Sequence, residues 1–384
     1  MVSRVGIIGA RGISNYGGFE TVVGELAPRL AAMGYEVYCS HRRLAEGAMT
    51  AEFKGVKVLY FPFCFPAGHR GARLFEVLYD WYFLFKCAFV LRCDIVYCLG
   101  VASGPFLIAT RLTRTKTCVN VDGLEWRRRK FGLADKAYLK LAFTTSCAFS
   151  NVCVLDNSQL KGYLDTKVVG KSAVIPYGVN STTCGEWDGL VLEKYLEKGE
   201  GISVDSQGFL LVVARLEPEN NIDVIVKAYS SSECTSPLLV VGDFSSPAFE
   251  EEIMTIANSV PEGKRVLFTG SIFNRGDLEM LRCHCSAYIH GHSVGGTNPS
   301  LLEAMSAGDL IIAHDNVFNK EVCGDSALFF SNEQSLREAI DIIGTDSSQH
   351  RARRDKALDI VRKKYGWEDI TSAYDKLFKR LSNG

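Results

Sequence analysis

Ala287-Tyr288-Ile289-His290, followed after four residues by Gly295-Gly296-Thr297-Asn298-Pro299-Ser300-Leu301-Leu302-Glu303-Ala304-Met305, reads as a short apolar strand, a glycine-rich loop and a helix. The glycines let the backbone approach a ligand closely, and the amides and dipole of a helix N-terminus favour an anionic oxygen. Glu303 lies about one turn inside the helix, where a carboxylate can accept hydrogen bonds from a ribose or hexose hydroxyl. The stretch therefore reads as a pocket for a phosphate and a sugar. Thr, Asn and Pro are also the residue types of any capped helix, so the rest of the chain decides between the two readings.

Outward from this stretch the same alternation repeats. Val5 to Ile8, Val37 to Cys39, Val56 to Phe61, Ile95 to Leu99, Thr117 to Val121, Val152 to Leu155 and Ala173 to Ile175 are strand-like runs separated by helical segments. After a polar, acidic stretch the pattern restarts with Phe209 to Val213, Leu238 to Val241, Val266 to Thr269, Ala287 to His290, Leu310 to Ala313 and Ala327 to Phe330. This predicts parallel sheets with crossover helices. A chain of 384 residues exceeds one ordinary core, so two doubly wound domains with a cleft between them are expected. The expected boundaries are 1–180, 181–365 and a bracing terminal helix over 366–384.

The net charge of -1 hides an asymmetry: residues 1–180 carry 23 Lys+Arg against 13 Asp+Glu, and the remainder 20 against 31. A basic first half implies an anionic partner, such as a phosphate-bearing lipid, a membrane surface or nucleic acid. The 13 cysteines are scattered through apolar runs, which predicts reduced, buried thiols and a cytosolic protein. Cys283, His284, Cys285, His290 and His292 match no common zinc spacing. Met1 to Ile8 reads as a first strand and not as a signal peptide. The longest apolar stretch, Leu74 to Leu91, contains Glu76, Asp80 and Lys86 and so does not span a membrane. Its Leu74, Leu78, Tyr82 and Phe85 share a helical face, widened by Trp81, Phe83 and Phe89, that either lies on a membrane or is buried in the first domain.

In sheets of this kind ligands bind at the carboxyl ends of strands, so the loops there carry the candidate chemistry. After Ile8, the loop Gly9 to Glu20 places Gly17 and Gly18 before a helix expected from about Thr21 to Met33, where they can lie against a diphosphate. A dinucleotide fingerprint would need glycine at Arg11, so an NAD site is not indicated. After Val121 come Asp122-Gly123-Leu124-Glu125-Trp126-Arg127-Arg128-Arg129-Lys130: a carboxylate able to receive a hydroxyl proton beside cations that offset phosphate charge. The run lacks the aromatic interleaving of an RNA-binding surface, so no nucleic-acid partner is expected. After Val213, Ala214-Arg215-Leu216-Glu217-Pro218-Glu219-Asn220-Asn221 opens another helix, with Arg215 placed to bridge a diphosphate. No Asp-x-Asp occurs, so protein donors rather than a metal are expected to meet the diphosphate, and no cofactor is anticipated.

The Gly17-Gly18-Phe19-Glu20 loop, the Arg215 turn and the Glu303 helix together resemble the retaining glycosyltransferases of family 4, across nearly the whole chain. The forms GGFET, VDGLEW, RLEPENN and GGTNPSLLEAM resemble the bacterial rhamnosyltransferase-type subgroup that builds surface polysaccharides. The resemblance implies an α/β GT-B fold, two Rossmann-like domains facing across a cleft. It also implies transfer of L-rhamnose from dTDP-L-rhamnose to an undecaprenyl-diphosphate-linked saccharide, by a protein peripheral to the cytoplasmic face of the membrane. Carried onto this chain, Gly17 and Gly18 would face the donor diphosphate, Arg215 would bind it and Glu303 would hold a ribose hydroxyl. Gly296, Thr297, Asn298 and the nearby amides would contact the phosphate or the transferred sugar. Two positions depart from the family: Gly295 stands where the earlier of two paired glutamates is usual, and Asn220, counted here among the donor-binding residues, stands where a diphosphate-binding lysine is common. Arg127 is a candidate to compensate for that cation. Asp122 would orient or deprotonate the acceptor hydroxyl, and Glu219 would lie near the reacting sugar or its leaving group. The alternatives are a sugar-nucleotide epimerase and a catalytically silent sugar-nucleotide-binding subunit.

Overall fold

A computed structural model describes residues 3–13, 17–43, 50–64, 69–121, 123, 126, 132–196, 208–343 and 348–383; the side chains of 64 and 69–74 are outside the description. The chain forms two compact units, Met1–Gly178 with Trp367–Gly384, and Val179–Gly366.

The first unit is built on β1 (Arg4–Ile8), β2 (Glu36–Arg43), β3 (Glu52–Phe53), β4 (Val56–Cys64), β5 (Ile95–Leu99), β6 (Lys116–Asn120), β7 (Val152–Leu155) and β8 (Ser172–Val174). Their order in the sheet is β3-β4-β2-β1-β5-β6-β7-β8, and every pairing is parallel except the short β3 against β4. Every residue of β5 and β7 is buried, as expected of strands with helices on both faces. The first helix runs from Gly18 to Ala32, so it begins three residues before the expected Thr21 and takes Gly18 as its first residue. The terminal helix Trp367–Asn383 packs into this unit. Tyr374 and Tyr97 join hydroxyls at 2.6 Å, Tyr35 donates to Asp375 at 2.8 Å, and the Trp367 ring fills the space beside Gly178, where a Cβ would come within 2.5 Å.

The aromatic stretch forms the helix His69–Phe85 and a π-helical turn, Lys86–Val90. Its buried face is Tyr79, Phe83, Leu84, Cys87 and Ala88, whereas Leu78, Trp81 (43 % exposed) and Phe85 point to solvent. No helix among the described residues is long and apolar enough to cross a membrane.

The second unit contains β9 (Leu210–Val213), β10 (Leu238–Val241), β11 (Val266–Gly270), β12 (Ala287–His290), β13 (Ile311–His314) and β14 (Leu328–Phe330). They form an all-parallel sheet in the order β11-β10-β9-β12-β13-β14, so the winding reverses between β9 and β12. Leu210, Val212, Leu238, Val240, Ile289 and Ile312 form its core with Ile225, Val226 and Tyr229 of the helix Ile222–Ser231. This is the doubly wound arrangement, and its ligand crevice lies where the strand order reverses.

Most cysteines are buried thiols, Cys39, Cys87, Cys93, Cys98 and Cys118 among them. The expectation of uniformly reduced cysteines is corrected at one pair: Cys184 and Cys283 form a disulfide. The loop carrying Cys184 lies against the helix Arg275–His284, where His284 Nε2 is 2.9 Å from the Gly185 carbonyl, so the two thiols are neighbours despite their separation of 99 residues.

Candidate functional site

Two loops of the second unit meet at the reversal between β9 and β12. The first, Ala214 to Asn221, does not continue directly into a helix as the sequence pattern suggests. Pro218–Asn220 form a single tight turn, Asn221 adopts a left-handed conformation (φ 52°), and only then does the helix Ile222–Ser231 begin. Asn tolerates this conformation better than most residues. Its side chain donates to the Gly291 carbonyl at 2.7 Å, tying the turn to the loop after β12. Gly291 is required there, because a Cβ would come within 2.0 Å of the Asn220 carbonyl oxygen.

Asn220 reinforces the junction. Its Nδ2 donates to the Arg215 carbonyl at 2.6 Å, and its Oδ1 accepts from His292 Nδ1 at 2.6 Å. Both ends of the buried amide are thus engaged within the protein, which gives Asn220 the part of a strut that shapes the turn. The backbone carbonyl of Glu219 accepts from both the amide and the hydroxyl of Ser293, at 3.0 and 2.8 Å, and Glu219 is buried. Arg215 is the opposite case: its side chain is 68 % exposed and its nearest carboxylate, Glu217, is 3.7 Å away. A guanidinium so loosely held at a strand terminus is available to a diphosphate.

The helix Pro299–Ala307 starts under tight control. Asn298 is its N-cap, with Oδ1 accepting from the Ser300 amide at 2.9 Å, and the Asn298 carbonyl receives the amides of Leu301 and Leu302 at 3.1 and 3.2 Å. Pro299 has no amide hydrogen. The first turn of the helix is therefore internally satisfied, and these amides serve as the helix cap. The loop Gly295 to Asn298 leads into this helix and contains the buried Thr297 and Gly295 with φ 132°. Ser300 Oγ donates to the Val213 carbonyl at 3.0 Å and meets the hydroxyl of Tyr288, which donates to the same carbonyl at 3.1 Å. These bonds hold the helix start against the end of β9, beside Arg215.

Glu303 projects from this helix, 26 % exposed, with Oε2 at 2.6 Å from Nη2 of Arg282, which is 3 % exposed. Sequence reasoning misses Arg282, and nothing in its helical neighbours marks it. It also misses His292, Asn316 and Asn319. The side chains of Asn316 and Asn319 both donate to the His292 carbonyl, at 2.9 and 3.0 Å, and fix the loop that precedes Gly295. His290, at the end of β12, is buried, and burial with a smaller contribution from His314 lowers its pKa to about 3, so it is a neutral imidazole.

In the first unit, Gly17 is the N-cap of the helix Gly18–Ala32, and its carbonyl receives the Thr21 amide at 2.8 Å. A Cβ on Gly17 would come within 2.2 Å of a Glu20 carboxylate oxygen, whereas Gly18 opens to free space within 4 Å. Glu20 in turn accepts from the Arg11 amide at 2.9 Å. The structure thus brings Gly17 and Gly18 to the end of β1. Asp122 and Arg127 lie outside the described residues.

Two doubly wound parallel-sheet units define the GT-B class of fold. Residues 197–358 match the family model of glycosyl transferases group 1, and residues 2–180 match a domain of unknown function, DUF1972. Sucrose-phosphate synthase from Thermosynechococcus elongatus superposes with a TM-score of 0.81 at 16 % identity, covering 99 % of each chain. HepE from Anabaena, solved in complex with UDP and glucose, gives 0.70 at 16 % identity over 98 % of this chain and 100 % of its own. A glycosyltransferase from Rickettsia africae gives 0.71 at 16 % identity over 99 % and 98 %. At these identities the likeness is one of fold. No curated protein matches the chain by sequence. Family match and fold together support a glycosyltransferase.

Proposed function

We propose that the chain is a retaining glycosyltransferase that moves L-rhamnose from dTDP-L-rhamnose onto an undecaprenyl-diphosphate-linked saccharide in surface-polysaccharide synthesis. The observation that carries the donor half of this reading is the knitting of the Arg215 turn to the Gly291–Asn298 loop at the sheet reversal, through Asn220–His292 and Asn221–Gly291. Arg215 and the amides of Gly296, Thr297 and Asn298 bind the donor phosphates, and Glu303, held by Arg282, receives a ribose hydroxyl. Arg215 and the loop amides meet the diphosphate without a metal.

In the chemical step the bond from the sugar's anomeric carbon to the phosphate oxygen breaks as the acceptor oxygen bonds to the same face. The departing nucleoside diphosphate helps take the hydroxyl proton. Asp122 orients that hydroxyl, Arg127 offsets the leaving charge, and Glu219 lies beside the reacting sugar.

A lipid-linked acceptor at the cytoplasmic membrane face is supported by an apolar surface on the first unit. The rings of Phe89, Phe85, Trp81 and Phe106 follow one another at centroid distances of 4.6, 6.3 and 6.2 Å. Leu78, Ile108 and Leu112 (84 % exposed) extend the exposed apolar set, and the cations Arg92, Arg111 and Arg114 are exposed in the same segments. Apolar rings with flanking cations suit an anionic bilayer surface.

The test is a panel of dTDP-, UDP- and GDP-sugars with prenyl-diphosphate-linked saccharide acceptors, read by mass. A mass increase of one deoxyhexose with dTDP-L-rhamnose alone is expected. Conversion of a nucleotide sugar without acceptor, which leaves the mass unchanged and is followed by NMR, would indicate an epimerase, and donor binding without transfer would indicate a silent binding subunit.

A further inference from the structure

Arg11, Arg42, Glu76 and Asp80 gather at the carboxyl ends of β1, β2 and β5, where the strand order of the first sheet reverses. Glu76 Oε1 accepts from Nη2 of Arg11 and, at 3.1 Å, from Nη2 of Arg42. Asp80 lies one turn further along the same helix. It is partly buried and makes no hydrogen bond or ion pair among the described residues. Burial first, and then the charge of Glu76, push its carboxyl up to about 7, while Arg11 and Arg42 draw it down.

Tyr79, Cys98 and Tyr138 also feel its charge. Neither phenol is available to it: Tyr79 donates its proton to the Ala10 carbonyl at 2.6 Å, and Tyr138 donates to the Ala102 carbonyl at 2.8 Å. A half-buried carboxyl without donors is unfavourable, and a ligand that brings hydroxyls supplies what is missing. Arg11, 55 % exposed and braced by Glu76, presents donors beside it.

We propose that Arg11, Arg42, Glu76 and Asp80 form the binding site for the acceptor saccharide, with Asp80 accepting hydrogen bonds from sugar hydroxyls and Arg11 donating to sugar oxygens. The inference rests on the glycosyltransferase reading and places its acceptor. The side chains of Arg42 and Glu76 act one step back, fixing the Arg11 fork.

The test compares wild type with Asp80→Asn, Asp80→Leu and the exposed-site variant Arg11→Gln, using prenyl-diphosphate-linked monosaccharides as acceptors and dTDP and UDP affinities as the control for folding. Acceptor KM should rise at least tenfold in Asp80→Asn, further in Asp80→Leu and about fivefold in Arg11→Gln, with nucleotide Kd within twofold of wild type. Acceptor KM within twofold of wild type in all three would overturn the site. If wild type transfers no sugar, the proposed activity fails, and saturation-transfer NMR with the same acceptors decides the site alone. Signals present in wild type and lost in Asp80→Leu uphold it; signals equal in both, or absent in wild type, overturn it.

Discussion

Arg282 Nη2 lies 2.6 Å from Glu303 Oε2, joining the helix Arg275–His284 to the helix that starts at the glycine loop. The arginine is buried, and it also draws down the raised pKa of the buried Asp309 carboxyl. Removing one member of a buried pair leaves the other uncompensated, at a cost of roughly 3–5 kcal/mol. Arg282→Met should therefore lower the urea midpoint markedly and weaken nucleotide binding about tenfold, because Glu303 loses its orientation. Glu303→Gln should weaken the nucleotide as well and also lower stability, because it leaves the buried Arg282 charge without its carboxylate. Unchanged nucleotide affinity in Arg282→Met would show that the pair serves the fold alone.

Arg215 should behave in the opposite way. Its side chain is largely in water and its pairing with Glu217 is long, so Arg215→Ala should change stability by less than about 0.5 kcal/mol. Hydrogen bonds to charged groups contribute about 1.5–3 kcal/mol, which predicts a roughly 10- to 150-fold loss of nucleoside diphosphate affinity. Titration calorimetry with dTDP and UDP measures it. An affinity loss that accompanies unfolding would argue against direct contact.

Much of this site is legible in the amino-acid sequence. Runs such as Ile95 to Leu99 and Ala287 to His290 are short, apolar and fully buried, and strands buried on both faces announce themselves by that continuity. The helix from Pro299 is readable because Asn298 and Pro299 are cap and first-turn residues. What is not legible depends on contacts between distant positions. Asn220 meets His292 across 72 residues and Arg11 meets Glu76 across 65, and no local periodicity records either. The helix His69–Phe85 is apolar on nearly every side, so spacing alone does not say that Tyr79 and Phe83 face inward and Trp81 and Phe85 outward.

His290 makes stability depend on pH. Its folded pKa, about 3, lies below the value near 6.5 of an unfolded chain, so the unfolded state binds more protons between these limits. The contribution is fully present above pH 6.5 and is lost as pH falls towards 3, reaching about 5 kcal/mol there. His290→Leu should flatten this limb of the urea midpoint against pH between 6.5 and 4. Parallel curves for the two proteins would contradict the assignment.

The outward rings make a separate prediction. Trp81→Ser with Phe85→Ser removes two half-exposed aromatics that pack on Phe89 and Phe106, so the unfolding midpoint should fall while the far-ultraviolet dichroism of the folded protein is kept, and flotation with vesicles containing 30 % phosphatidylglycerol, about the fraction of a moderately anionic membrane, should fall several-fold. Equal flotation would place any membrane contact elsewhere.

The central claim is that the turn after β9 and the glycine loop after β12 bind the diphosphate of a nucleotide sugar. Hydrogen–deuterium exchange with and without saturating dTDP or UDP tests it most directly. Slowed exchange concentrated in 214–221 and 291–303, and sharply reduced by Arg215→Ala at the same nucleotide concentration, is the predicted result. Binding that leaves both segments unprotected, or no binding of any nucleoside diphosphate, would contradict it.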